Sequence, residues 1–449
     1  MNRIITKTSS WVLFVVLGMP TIALAEGATA AKIDTGDTAW VLVSAAMVLF
    51  MTPGLAFFYG GMVRSKNVLS TLFQNYAALA VVGLLWAVCG YSLVFSGDHA
   101  GLIGDLNWAF LNGVGQEPNT AYAPTIPHLA FMIYQCMFAV ITPALITGAF
   151  AERISFKAWL PFMALWALLV YFPVAHWVWG TGGWIHQMGG IDFAGGMVVH
   201  MSAGFSALVA AILLGKRRGF PDQENKPHDS GMILLGTALL WFGWFGFNAG
   251  SALGANGLAA QAFSTTFFAS AAAMASWTLV DWIMKGTPSA VGAAVGAVAG
   301  LATVTPAAGF VTIGSAMLIG FAAGFICNFA VMGVKNTFKI DDTLDVFGCH
   351  GIGGTLGVVL TGVFATKSVN PAGADGLLYG GTHFFGVQCI SALAIAAFSV
   401  VTTIAIIKLV EVFVPMRVPS AEEDAGLDFS QHSESIGSAV VPEGAAASS

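Results

Sequence analysis

Residues 192–204 read DFAGGMVVHMSAG and residues 342–354 read DTLDVFGCHGIGG. In each, an Asp is followed after seven residues by a His and after three more by a Gly: Asp192, His200, Gly204 and Asp342, His350, Gly354. Both stretches lie in apolar surroundings, one in each half of the chain. Ionisable residues are costly inside a bilayer, so they persist where they face a cavity, a partner or a transported species. A matched pair at corresponding positions of two repeats points to a site at the midplane between the halves.

The composition places both stretches in a membrane. Of 449 residues 57% are hydrophobic and 9% charged, and the mean hydropathy is +0.79; soluble domains carry about 25% charged residues. The net charge of -6 comes mostly from loops and the tail, and nothing in it points to nucleic acid. Arg3 and Lys7, the apolar run Trp11–Leu24 and the small-residue site Ala23-Leu24-Ala25 predict a signal peptide over 1–25. Residues 26–37 then form an external amino terminus, 38–412 a membrane domain and 413–449 a cytoplasmic tail. Cys89, Cys136, Cys327, Cys349 and Cys389 all lie in apolar segments without CxxC spacing, so neither disulfides nor a zinc site is expected.

Eleven runs have membrane-spanning character, near 38–62, 70–95, 127–150, 158–179, 192–215, 231–252, 258–284, 288–306, 310–334, 343–365 and 380–412. Alternate loops carry Arg64 and Lys66, Arg153 and Lys157, Lys216 to Arg218 with Lys226, Lys285, and Lys335 with Lys339; Arg417 follows the last run. The opposite side has only Lys32 and Lys367. Positive residues mark the inside, so the amino terminus is outside and the carboxyl terminus inside. Segments 1–5 and 6–10 form two halves. Five crossings are an odd number, so the second half is inverted, and segment 11 stands outside the repeat. Thr142-Pro143-Ala144 and Thr305-Pro306-Ala307 supply a second matched pair. The expected fold is an all-α, multi-pass membrane protein of eleven transmembrane helices.

Counted from the start of each segment, His200 and His350 lie about 12 Å deep from opposite faces. Two neutral imidazoles can hydrogen-bond each other and leave two nitrogens for a pore. Asp192 and Asp342 open their helices, where a carboxylate accepts backbone N–H groups; a through-space effect on a nearby cation is a secondary role. His128, His176, His186 and His383 have no repeat partner and read as interfacial or structural. Trp241, Trp244, Phe245, Phe247, Phe138 and Trp179 offer aromatic faces that attract a desolvated cation, and Ser251 offers a hydroxyl.

PGLAFFYGGMVRSKNVLS at 53–70, ITPALITGAFAER at 141–153, DFAGGMVVH at 192–200, WFGFNAGSA at 244–252 and DDTLDVFGCHG at 341–351 together resemble the ammonium transporter family (Amt/MEP/Rh), most of all its bacterial AmtB-type members. The resemblance implies a homotrimer of eleven-helix subunits in a bacterial plasma (inner) membrane, each with its own pore. It also implies roles. Phe138, Trp179 and Ser251 match an outer vestibule that recruits ammonium, Phe138 and Phe247 a gate of stacked rings, and His200 and His350 the lining of the apolar pore beneath. Asp192 matches a residue that supports cation binding without touching it, and Thr305 one near the vestibule. Tyr134 stands where bacterial relatives often have phenylalanine, and its added hydroxyl is expected to alter local hydration. The tail run Arg417-Val418-Pro419 to Asp428 matches a segment that packs on the inner face, where PII-type signal proteins dock; the extra residues around Asp424-Ala425 leave its register open. No cofactor or metal is implied.

Two other functions fit parts of the pattern. A membrane metalloenzyme would use His200 and His350 as ligands, but no carboxylate lies at i±3 or i±4 of either. An ammonium sensor with little net flux would be expected to carry a fused signalling domain, for which this tail is short.

Overall fold

The computed structural model describes residues 32–222 and 226–436; the expected leader over 1–25 lies outside them. Among these described residues eleven apolar helices follow in order: α1 (Thr35–Met62), α2 (Ser65–Phe95), α3 (His128–Ala149), α4 (Phe156–Gln187), α5 (Gly196–Leu214), α6 (Ser230–Ala252), α7 (Gly257–Lys285), α8 (Ala290–Val304), α9 (Ile313–Thr337), α10 (Phe347–Phe364) and α11 (Thr382–Glu411). Ten are long and apolar enough to cross a membrane, and α8 is shorter. No strand occurs among the described residues. Two short helices, α12 (Ser420–Ala425) and α13 (Leu427–His432), follow in the tail.

Side-chain caps start many of these helices where the sequence changes character. Asp34 caps α1, Asp229 caps α6, Asn256 caps α7, Ser289 caps α8 and Thr312 caps α9; each accepts an N–H that the first turn leaves unpaired. The apolar run of segment 8 continues to 306, but α8 has 15 residues, about 22 Å against a hydrocarbon core of about 30 Å. A turn through Pro306 stops it, and its inner residues are buried in protein, where irregular backbone needs no lipid-facing helix to satisfy it. Segment 4 contains a π-turn over Ala167–Tyr171 that ends two residues before Pro173, the residue with no N–H to give.

The two halves run against each other. Gly54 of α1 packs on Leu239 and Leu240 of α6, Gly61 on Asp229 and Ile233, and Gly246 of α6 on Ser44 and Met47. Rising numbers in one helix thus meet falling numbers in the other. Helices α5 and α10 cross in the same sense. A methyl at Gly204 would collide with the Gly351 backbone, and one at Gly354 would stand 3.0 Å from the Gly196 carbonyl and from His200 Cβ. The glycine that closes each Asp/His motif is therefore the contact point of the crossing. Gly204→Ala is expected to cost about 1–3 kcal/mol through backbone displacement, read as a lower Tm of the purified protein; an unchanged Tm would refute the close crossing. The Gly292, Gly296, Gly300 stripe on α8 faces Asp281, Trp277 and Ala273 of α7, which is packing within one chain.

At the end of the bundle that holds the tail, loops close over a buried ionic cluster. Glu152 is 1% exposed. Its carboxylate accepts the backbone N–H and Nε of Arg64 at 2.6 and 2.9 Å and Nη1 of Arg217 at 3.2 Å. Arg217 reaches on to Asp341 with Nη2 at 2.9 Å, and the wholly buried Arg153 donates to the Asp341 and Ala149 carbonyls and to Thr343 Oγ1. Four loops are tied together this way. The tail seats beside them. Glu423, itself 1% exposed, accepts from the Arg218 N–H and from Arg417 Nη2, both at 2.7 Å. Asp428 accepts the Leu69 and Ser70 N–H groups at 3.0 and 2.8 Å. The residues that left the register open form α12; Gly426 at φ 99 then turns the chain so that Leu427 is buried and Asp428 caps α2.

Candidate functional site

The site is built where α5 and α10 cross. His200 Nδ1 and His350 Nδ1 are 3.2 Å apart, and their rings lie 5.1 Å apart at 21°. One Nδ1 must donate and the other accept. The outer nitrogens are then unlike: the ring that donates presents a bare Nε2, and the ring that accepts presents Nε2–H. A neutral pair therefore shows one acceptor and one donor. His200 Nε2 is buried and has no protein partner. The rings border a lumen of about 10 Å³, water-sized, whose other walls include Leu55, Ile141, Leu145 and Val298. Trp244 stacks on His200 at 5.4 Å and donates its indole N–H to Thr305 Oγ1 at 3.0 Å.

The imidazoles sit one turn into their helices, not the two and a half that the segment starts implied. The helices begin at Gly196 and Phe347 with π-turns, and the chain ahead of each enters the bundle as irregular backbone. The aspartates hold those late starts. Asp192 Oδ1 accepts from Gly195 and Gly196 at 2.8 and 2.7 Å, and Oδ2 from Met197 and Val198 at 2.7 and 3.1 Å. Asp342 accepts from Val346 at 3.2 Å and Phe347 at 2.8 Å. Four N–H groups saturate the Asp192 carboxylate, so it lends charge and no free hydrogen-bond site.

A second cavity, of about 140 Å³, lies on the far side of a pair of rings. Phe138 and Phe247 stack with centroids 4.2 Å apart at 30°; Phe138 and Phe247 each border one of the two cavities, so the pair separates them. Trp179 stands edge-on to Phe138 at 5.9 Å and donates its indole N–H to the Asp192 carbonyl at 3.0 Å. Ser251, Asp192 and Gln135 bring polar groups to this cavity, and Phe95, Tyr122 and Phe131 add aromatic walls.

The fold thus brings Phe138, Trp179, Ser251 and Asp192 to one cavity and His200, His350, Trp244 and Phe247 to the next. Asp342 caps α10 and lines neither. Thr305 lines neither; it is buried behind Trp244. Tyr134 lines neither as well: its hydroxyl is buried on the Gly246 and Phe247 carbonyls, both at 2.9 Å, so the hydration change expected of it does not arise through exposure to the cavity. Gln135 was missed; its only mark in the sequence is an amide inside an apolar run. His176 is buried between the Val94 carbonyl at 2.7 Å and Asp98 Oδ1 at 2.9 Å, where it fixes the end of α4 that carries Trp179. Among the described residues no three of His, Cys, Asp and Glu gather to hold a metal ion.

The chain's relatives agree with this architecture. A family model described as Ammonium Transporter Family matches residues 39–436. The chain is 51% identical over 399 residues to an ammonium transporter of Bacillus subtilis (strain 168), an overlap of 89% of this chain and 98% of that one. Ammonium transporter Amt1 of Archaeoglobus fulgidus is 46% identical over 399 residues, again 89% of this chain and 98% of the relative. The crystal structure of Candida albicans Mep2 matches with a TM-score of 0.82 at 35% identity, over 87% of this chain and 88% of that one. This chain belongs to the ammonium transporter family, a family of transporters and not of enzymes.

Proposed function

We propose that the protein carries ammonium inward across a bacterial plasma membrane, with its amino terminus outside and its tail in the cytoplasm. The observation that carries this reading is the sequence of environments along one path: an aromatic cavity with a hydroxyl, a stacked ring pair at 4.2 Å, then a largely apolar lumen whose polar wall is an imidazole pair. Ammonium enters the cavity against Phe138 and Trp179, whose faces attract a desolvated cation, and donates a hydrogen bond to Ser251. The saturated Asp192 carboxylate favours the cation through space. At the ring pair the cation gives up its proton to solvent water in the outer cavity, and ammonia passes along His200 and His350. Ammonia both donates and accepts, which matches the unlike Nε2 atoms of a neutral pair. Potassium has the same charge but neither donates hydrogen bonds nor becomes neutral by losing a proton, which supplies selectivity.

The assembly is a homotrimer, residues 1–25 are a cleaved leader, and the face where α12 and α13 seat beside the loops is where a PII-type signal protein docks. The family resemblance supports the trimer and the docking face, and Arg3, Lys7 and the Ala23-Leu24-Ala25 site support the leader.

An ammonium pulse onto proteoliposomes, recording current and lumenal pH together, tests transport. A current or pH change above that of empty liposomes is expected, and neither signal would sink the reading. A binding signal without flux would favour the sensor alternative.

A further inference from the structure

Tyr134 and Phe138 are four residues apart on α3, and Phe247 and Ser251 are four apart on α6. Residues so spaced share a helix face, and here the two faces meet in two rungs. Phe138 stacks on Phe247 at 4.2 Å, and Tyr134 Oη lies 3.1 Å from Ser251 Oγ. The hydroxyl rung is buried at Tyr134, half-buried at Ser251, and well connected. Tyr134 Oη is also 2.9 Å from the carbonyls of Gly246 and of Phe247, and Ser251 Oγ is 2.9 Å from the Phe247 carbonyl.

Counting protons fixes what this cluster offers the cavity. It holds two, one on each hydroxyl. Carbonyl oxygens only accept, and a hydroxyl has one proton and two lone pairs. The Tyr134 proton goes to the Gly246 carbonyl, the Phe247 carbonyl or Ser251 Oγ. The Ser251 proton goes to the Phe247 carbonyl or to Tyr134 Oη. Every arrangement that keeps both protons inside the cluster has Ser251 donating inward, with a lone pair left for the cavity. Turning the Ser251 proton outward forfeits one of these buried bonds. Tyr134 also ties the turn that carries Phe247 to the helix that carries Phe138, and no side chain larger than hydrogen fits beneath it, because a methyl at Gly250 would stand 2.7 Å from its hydroxyl.

We propose that Tyr134 is a positioning residue for the cation site: its hydroxyl orients Ser251 as a pure hydrogen-bond acceptor. The inference rests on the transport reading above and adds to it a residue that never touches the substrate.

The test is the half-saturation concentration for ammonium in the proteoliposome assay, measured alongside the maximal rate for Tyr134→Phe, Ser251→Ala and the double variant. Tyr134→Phe keeps the ring and removes one hydroxyl, and rates are normalised to inserted protein. Losing one such bond raises half-saturation about three- to tenfold, with the maximal rate changing less than about twofold. Because Tyr134 acts through Ser251, the double variant matches Ser251→Ala alone. Ser251→Thr keeps a hydroxyl and stays sensitive to Tyr134→Phe. Unchanged half-saturation in Tyr134→Phe, or effects of the two single variants that multiply in the double, overturns the inference while leaving transport intact. A wild-type chain with no ammonium signal overturns both.

Discussion

Ammonium-dependent flux falls about 100-fold when His200 and His350 are both replaced by leucine, with the protein still folded and inserted. Leucine fills about the same space as imidazole and keeps the lumen closed to water, so what is removed is the hydrogen bonding. In a cavity of about 10 Å³ with otherwise largely apolar walls, a small polar solute has no replacement partner. Leaving a buried donor or acceptor unpaired costs about 1–3 kcal/mol, and two lost contacts at about 1.4 kcal/mol per decade give about two orders of magnitude. Flux within about twofold of wild type, in the paired current and pH recording, would remove the histidines from the conduction path. Single replacements are informative too. Each leaves the surviving Nδ1 without its partner at 3.2 Å, so neither single variant is expected to keep half of the wild-type flux.

Replacing Glu152 by glutamine destabilises the fold by about 3–5 kcal/mol, the cost of removing one member of a buried ion pair. The neutral amide leaves Arg217, whose side chain is 6% exposed, facing Asp341 alone, and frees Arg64. Glu152 also holds φ at 73, a conformation that side-chain-bearing residues keep only where their surroundings impose it. The pH dependence carries the sign. Burial alone raises the Glu152 carboxyl, but the Arg217 charge and the Arg64 contacts outweigh it and hold it below its ordinary 4.5. Burial likewise raises Asp341, and Arg217, followed by Arg153, holds it below 3.8. A depressed folded value contributes stability that is complete above the ordinary value and is lost as pH falls through the folded one. The Tm difference between wild type and Glu152→Gln is therefore widest at neutral pH and narrows below about pH 4.5. A difference that stays constant down to pH 3 would contradict the ionic account.

Much of the candidate site's layout could be read from the chain. The Asp/His/Gly motif is visible because ionisable residues stand out against apolar helices, and its duplication marks the crossing. Other features were hidden for physical reasons. The start of the helix that carries His200 was hidden because hydropathy does not distinguish a helix from buried irregular backbone; Asp192 caps a helix that begins four residues later than the apolar run. Gln135 and the Tyr134 hydroxyl carry no periodic signal. The tail register was open because the Arg218 partner of Glu423 and the Leu69 and Ser70 partners of Asp428 lie hundreds of residues away.

The sequence by itself determined what must be buried, which loops carry positive charge and where two halves repeat, since these follow from transfer free energies and spacing along the chain. The tertiary structure decided which polar groups remain available. The Asp192 carboxylate is spent on four N–H groups, Ser251 is turned by Tyr134, and each imidazole is left with one nitrogen to offer. Hydrogen-bond saturation is a property of groups brought together in space, and no local pattern encodes it.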